Sequence, residues 1–188
     1  MRKAVLGAPP PPPPGLVMRQ VELAEIDDAM WAELVAGEPE PFGGGPGETL
    51  SWRPKPLNVA ICSHDGRLLA AGGIASGEVL IARTWRVPVV GLGGVIVTRS
   101  ARGQGLGRTV VAALLERAPA LGGDFAVLFC RARLVPFYAS FSFAPIDARV
   151  YADQPGGQIE MPLGAMYRPL AAATPWPAGA VEVIGEPF

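Results

Sequence analysis

Residues 97–110 read "VTRSARGQGLGRTV", and within them Arg102-Gly103-Gln104-Gly105-Leu106-Gly107-Arg108 sets three glycines between two arginines. A glycine reaches φ values closed to other residues and lets a ligand come close to the backbone. Successive peptide N–H groups can then converge on one anion, helped by the N-terminus of a following helix. Arg102 and Arg108 stand where guanidinium groups add charge-assisted hydrogen bonds. A pyrophosphate suits such a loop, and three kinds of phosphate loop are to be distinguished. A nucleoside-triphosphate loop ends Gly-Lys-Ser/Thr, whereas this one ends Gly107-Arg108-Thr109. A dinucleotide fingerprint is G-x-G-x-x-G in the first strand–helix turn. Here Arg108 takes the place of its last glycine, and the loop lies at mid-chain. The pattern that fits is R-x-x-G-x-G, Arg102 to Gly107. Taken alone, the same residues also suit a turn that only caps a helix.

Other reactive side chains are sparse. The single histidine, His64, sits in the turn-like "SHDG", and Cys62 and Cys130 lie inside the apolar runs "NVAIC" and "AVLFC". Cysteines in such runs behave as small buried hydrophobes and are expected to be reduced. One histidine and two strand cysteines supply no convincing metal ligands, so no metal is expected. A net charge of −1 over 188 residues leaves no cationic excess for a nucleic-acid partner. Lysine is rare, at Lys3 and Lys55 alone. The longest apolar stretch, Val87 to Val97, falls short of the roughly 20 residues of a membrane span. "MRKAVLGA" is too short for the apolar part of a secretory leader. A cytoplasmic protein without a membrane partner is expected.

The loop must be positioned by a strand before it and a helix after it. "VPVVGLGGVIVT" supplies the strand, and "RTVVAALLERAPAL" places Val110, Val111, Leu114, Leu115 and Ala118 at helical spacing. "FAVLFC" follows as a short strand of the kind buried on both faces, then "LVPFYASFSF" as a short helix running into a turn. Upstream, "LVMRQVELAE" reads as a first strand. "DDAMWAELVAG" reads as a helix with Asp27 or Asp28 near its start and Gly37 beyond its end. "LNVAIC" and "RLLAAGGIA" form a hairpin about Asp65-Gly66, and "EVLIARTW" is a separate strand candidate. "ARVYA" and "AMYRPL" close the domain. The fold class is therefore α/β, a mixed sheet around one strand–helix–strand unit. Residues 1–16, with six prolines from Pro9 to Pro14, read as a disordered proline-rich tail. Residues 17–170 form the domain, and 171–188 an extended tail packing on the domain or on a second subunit, so a homodimer is a further expectation.

The frame "VVGLGGVIVTRSARGQGLGRTVVAALLERA…FAVLFC…PFYASFSF" resembles the GNAT superfamily of acyl-CoA-dependent N-acyltransferases, loosely nearest its aminoglycoside 2'-N-acetyltransferase-like branch. The resemblance implies the GNAT fold, a central mixed sheet flanked by helices. It implies an acetyl-CoA-dependent N-acetyltransferase acting on a small-molecule amine by direct attack, with acetyl-CoA as co-substrate. Protein or peptide N-acetylation, and a non-catalytic acyl-CoA-binding module, are the alternatives. By the resemblance, Arg102, Gly103, Gln104, Gly105, Leu106, Gly107 and Arg108 hold the pyrophosphate of coenzyme A. Val95, Ile96 and Val97 offer backbone groups to the pantetheine arm. In the family's F-Y-x-x-x-G-F, here Phe137 to Phe143, Tyr138 is the general acid for the leaving thiolate, a role a phenol within hydrogen-bond reach can fill.

Three departures stand out. Ser142 replaces the glycine of that motif, and Arg131 replaces an asparagine that contacts pantetheine in many members. Arg131 and Arg133 either reach a cofactor phosphate or are surface arginines. Gly93 stands where the aminoglycoside enzymes carry a glutamate beside "GV-V". Candidate bases are Glu48, Glu78, Asp153, Glu160, the terminal carboxylate of Phe188 and His64, most of them better suited to a solvated surface. The acceptor loops expected are Glu38 to Lys55, with Phe42 and Trp52, and the tail with Tyr151, Tyr167 and Trp176. Those aromatics line a pocket or plug the core.

Overall fold

A computed structural model describes residues 16–21, 26–42, 44–45, 47–170 and 175–188, with the backbone alone described over 16–21. The proline run Pro9 to Pro14 lies outside these residues. Strand β1 (Leu16–Val21) is followed by helix α1 (Asp28–Val35). Asp27 caps the helix, its side chain accepting from the Met30 N–H at 2.8 Å. Ala36 ends it in the left-handed region.

Strands β2 (Leu57–Ser63) and β3 (Leu68–Ile81) form the expected hairpin, with His64, Asp65 and Gly66 in its turn. Strand β4 (Trp85–Val97) pairs with β3 along most of its length. The sequence suggests a break in β3 at Ala75-Ser76-Gly77, but these residues pair with Gly91, Val90 and Val89 without interruption. Glycine at 77 makes space rather than a turn, since a Cβ there would come 2.5 Å from the Phe188 ring. The actual turn falls at Ala82–Thr84, where Ala82 and Arg83 take positive φ. No glycine announces it.

Helix α2 (Leu106–Arg117) then leads to strand β5 (Phe125–Cys130), parallel to β4. A single 3-10 turn and the short α3 (Val135–Ala139) follow. The chain continues through β6 (Ala144–Pro145), β7 (Val150–Gln154), β8 (Gly157–Glu160) and β9 (Gly164–Pro169) to β10 (Val181–Val183). The ten strands of the described residues form one sheet in the order β6-β9-β5-β4-β3-β10-β7-β8, with β2 and β1 added at the first half of β3. Strand β10, close to the end of the chain, is inserted antiparallel to β3 and parallel to β7.

Helix α2 buries Val110, Val111 and Leu114 against Val59, Ile61, Ile74 and Leu92 of the sheet. Val59 and Ile61 stand two apart on β2, and Ile74 pairs with Leu92 across β3 and β4, which turns all four to one face. A second cluster gathers Val79, Val89, Phe125, Val181 and Phe188, and a third sets Leu34 of α1 on Ala60, Ala71 and Ile96. Among the described residues no helix is long and apolar enough to cross a membrane.

Candidate functional site

The glycine loop sits between β4 and α2, as its spacing requires. Gly103 and Gly105 take φ of +80° and +79°, the left-handed region that favours glycine, and Gly105 is the residue that caps α2. Its carbonyl accepts from Arg108 and Thr109 at 2.9 and 3.2 Å, closing the first helical turn. The peptide N–H groups of Gly103, Gln104, Gly105, Leu106 and Gly107 donate to no other main-chain group of the described residues. Such groups at a helix start make an anion site. Gln104 is exposed, whereas the Leu106 side chain is buried in the core, so Leu106 offers the site only its backbone. A cavity of about 200 Å³ opens over the loop, lined by Arg102, Gly103, Gly105, Gly107, Arg108 and Phe137 among others.

Both arginines are already engaged. Arg102 donates from Nε to the Val97 carbonyl at 3.1 Å and forks onto Glu38 at 3.0 and 2.5 Å. That pair holds the Glu38 carboxyl below the ordinary carboxylate range. Arg108 donates to Ser140 Oγ at 2.9 Å and lies 5.0 Å over the Phe141 ring.

The sheet opens beside this loop. Strands β4 and β5 pair only from Val89–Phe125 to Leu92–Leu128 and then part. An irregularity follows at once, because β4 has one residue more than β3 between Gly93 and Ile96, with Gly94 at φ +63°. A bulge of this kind bends a strand and ends pairing. The Thr98 N–H bonds the Leu69 carbonyl at 2.8 Å. By the alternation of a strand, Ile96 therefore turns its peptide groups to β3 and Val97 turns its own to the open edge. Of the backbone donors and acceptors expected from Val95, Ile96 and Val97, those of Ile96 belong to the sheet, where it pairs with Ala71. Its side chain is buried in the third cluster.

Tyr138 faces the same opening from α3. Its ring packs edge-on against Phe137 and Phe143 with centroids 4.9 and 6.1 Å away. Ser142 stands in the left-handed region at φ +64°, the position of the usual glycine, and completes the turn that brings Phe143 back onto Tyr138. The Tyr138 side chain lines the large cavity described next, and its hydroxyl has no hydrogen-bond partner among the described residues. Burial, and then the Cys130 thiol beside it, push its pKa above the ordinary phenol value. Cys130 itself is pushed up to about 11 by burial. Each therefore keeps its proton at neutral pH, and Cys130 presents no thiolate nucleophile.

The cavity between the parted strands measures about 370 Å³, within the range of small-ligand sites. Its apolar wall holds Trp31, Phe42, Trp52, Phe129, Leu134 and Leu163, and its charged side chains are Glu48, Lys55 and Arg131. Arg131 lies 4.0 Å from Glu48, and Arg133 donates to the Phe42 carbonyl at 3.2 Å. Neither lines the cavity over the glycine loop. The floor is made by β4 and by Phe188, whose carboxyl carbon and one carboxyl oxygen lie 2.9 Å from where a Cβ on Gly93 would stand.

Of the candidate bases, the structure brings Glu48 and Phe188 to this cavity. Glu78 pairs with Arg86, Asp153 accepts from the Gly185 N–H, Glu160 is exposed on β8, and His64 is exposed in the hairpin turn. The expected aromatic lining divides in the same way. Phe42 and Trp52 line the cavity, whereas Tyr167 and Trp176 stack at 4.7 Å and pack on Phe125 in the second cluster. Sequence reasoning missed Trp31 and the role of Lys55 as a wall residue. The one available signal was Pro54-Lys55-Pro56, a lysine in a chain nearly without them. No group of three or more metal-ligating side chains occurs among the described residues.

Residues 24–143 match the model of the acetyltransferase (GNAT) family. The glucosamine 6-phosphate N-acetyltransferase 1 of Oryza sativa subsp. japonica is 40% identical over 85 residues, 45% of this chain and 50% of that protein. The match thus spans half the length of this curated relative. A GNAT family N-acetyltransferase from Escherichia coli, solved in complex with CoA, superposes with a TM-score of 0.52 at 21% identity, over 90% of this chain and 89% of that one. The ribosomal-protein-S18-alanine N-acetyltransferase from Escherichia coli does so with a TM-score of 0.53 at 16% identity, over 85% and 96%. At these identities the likeness of the two structures is one of fold, and the family rests on the match over 24–143. With the parted β4–β5 edge between its glycine loop and Tyr138, the chain belongs to the acetyltransferase (GNAT) family.

Proposed function

We propose that the protein transfers an acetyl group from acetyl-CoA to the primary amine of a small molecule. The observation that carries this reading is the break in β4–β5 pairing after Leu92, with unpaired N–H groups at one end and the Tyr138 hydroxyl in the cavity beyond. The loop from Gly103 to Gly107 fits a pyrophosphate by its free donors and positive φ, and Arg102 and Arg108 border it. Val97 and Val95 run along the open edge, where a pantetheine arm takes the place of the missing strand.

The amine nitrogen attacks the thioester carbonyl, forming the C–N bond, and the C–S bond breaks as the thiolate leaves. Tyr138 donates its hydroxyl proton, or a hydrogen bond, to the departing sulfur. The proton lost by the nitrogen passes to Glu48 or to water. The aromatic wall and modest volume of the cavity favour a small acceptor over a protein segment. The sugar-amine acetyltransferase among the relatives supports the same class of acceptor.

Thermal unfolding with and without acetyl-CoA tests the cofactor site, because a ligand selective for the native state raises its stability. A rise is expected, and it should vanish in a variant combining Arg102→Ala with Gly105→Val. Tyr138→Phe should keep the rise and lose on the order of 100-fold in kcat. No rise at millimolar acetyl-CoA overturns the reading. A rise without turnover on any amine leaves a binding module in its place.

A further inference from the structure

Five large apolar side chains of the described residues stay exposed, and three of them, Trp31, Phe42 and Leu134, line the one cavity between the parted strands. Water against such surface is unfavourable, and its gathering in one concavity marks a binding site. The aromatic walls also stand on a definite side of the sheet. On β5, Ala126, Leu128 and Cys130 face α2 in the first cluster, together with Tyr138, whereas Phe125, Val127 and Phe129 alternate with them to the other face. Ala60 and Cys62 of β2 likewise alternate with Val59 and Ile61, so α1 packs on that other face. Trp31 belongs to α1 and lies 5.8 Å from the Phe42 ring, and Trp52 lies 6.3 Å from Phe129. The glycine loop that starts α2 and the Tyr138 phenol, the groups assigned to the acyl donor, are on the α2 side. The four aromatic rings thus stand across the gap from them, where an acceptor approaches.

The polar inventory of the wall points the same way. Among the described residues it includes no Ser, Thr, Asn, Gln, Asp or His side chain, the groups that hydrogen-bond the hydroxyls of a sugar. Trp52 Nε1 already donates to the Gly47 carbonyl at 3.1 Å. The charged side chains are engaged by the protein. Glu48 accepts from the Gly44 N–H at 2.8 Å and lies 4.0 Å from Arg131. Lys55 donates to the Arg53 carbonyl at 3.1 Å, and its stem and the Phe188 carboxyl both stand against Gly93. A polyol buried here would leave hydroxyls without partners, a cost that an apolar body escapes. Aromatic faces also receive the ammonium form in which an amine arrives. We infer that the acceptor carries its primary amine on an apolar body, as an arylalkylamine or alkylamine does, rather than on a sugar, and that Trp31, Phe42, Trp52 and Phe129 receive that body. This inference rests on the acetyl-transfer reading above and names its substrate class.

Thiol release from acetyl-CoA by the full chain tests it with phenethylamine, tryptamine and hexylamine, set against ethylamine, glucosamine and glucosamine 6-phosphate. Rates are referred to the unprotonated amine, because the probes differ in basicity. From ethylamine to hexylamine or phenethylamine kcat/KM should rise roughly tenfold or more, chiefly through KM, and it should exceed that of both sugars. Trp31→Ala and Phe42→Ala should each cut the phenethylamine-to-ethylamine ratio by about threefold or more. A preference for either sugar overturns the inference, as does a ratio near one or a ratio indifferent to both variants. Should one variant fail to fold, the other decides. Failure of every apolar amine to react also counts against it, and turnover of a sugar in that case leaves the acetyl-transfer reading standing. The cofactor reading is judged separately, by the thermal shift with acetyl-CoA.

Discussion

Tyr138 and Lys55 show two outcomes of burying a titratable group. The phenol holds its proton more tightly, while the ammonium holds its proton less tightly, because burial disfavours the charged form of each. For Lys55 the sign is set by its surroundings: below about 8 the side chain is charged, and above it the charge is lost. The sequence announces Arg102 to Gly107 because adjacent residues build that loop. For Lys55 it offers only the rarity of lysine and two flanking prolines, because the cavity is assembled from α1, β4, β5 and the last residues of the chain.

Strand β4 does two things along its length. Up to Leu92 it is a central strand, and beyond Gly93 it is an open edge. The alternation of "VPVVGLGGVIV" marks a strand, but the partner it lacks after Leu92 is a property of β5 and the bulge. Long-range pairing of this kind leaves little local signature. The segment after α1 bears on this edge as well. Glu38 forks onto Arg102, so the guanidinium next to the glycine loop already holds a carboxylate. An incoming pyrophosphate seeks the same donors. Glu38→Gln should therefore tighten coenzyme A binding, measured by calorimetric titration, by roughly two- to fivefold, the scale of an exposed ion pair. Weaker binding in that variant would mean that Glu38 aims Arg102 at the ligand instead of competing with it.

The molecule as a whole is closed by its last residues. Phe188, 2% exposed, fills a channel walled by three glycines; a Cβ on Gly91 would come 1.7 Å from the ring Cγ, and one on Gly77 2.5 Å from Cε1. Arg53 holds the same segment, its N–H bonded to the Pro187 carbonyl at 2.7 Å and its guanidinium 4.9 Å over the ring. In the sequence Gly77 reads as a break between two strands, Gly91 and Gly93 as members of one strand and the proline-rich end as a tail, because a glycine that makes room for a distant ring looks like any other. Gly91→Ala should expel the ring and remove about 3–5 kcal/mol, lowering Tm by on the order of 10 °C. The rise with acetyl-CoA should survive, since the glycine loop lies elsewhere. A Tm within a degree of the wild type would show that the ring is not needed there. The placement of β10 between β3 and β7 also bears on biosynthesis. Chains fold from the N-terminus as they are made, yet here the middle of the sheet waits for residues 181–183, and the cavity floor for Phe188. Until those residues clear the ribosome, the nascent chain exposes the edges of β3 and β7 and an acceptor cavity without its floor.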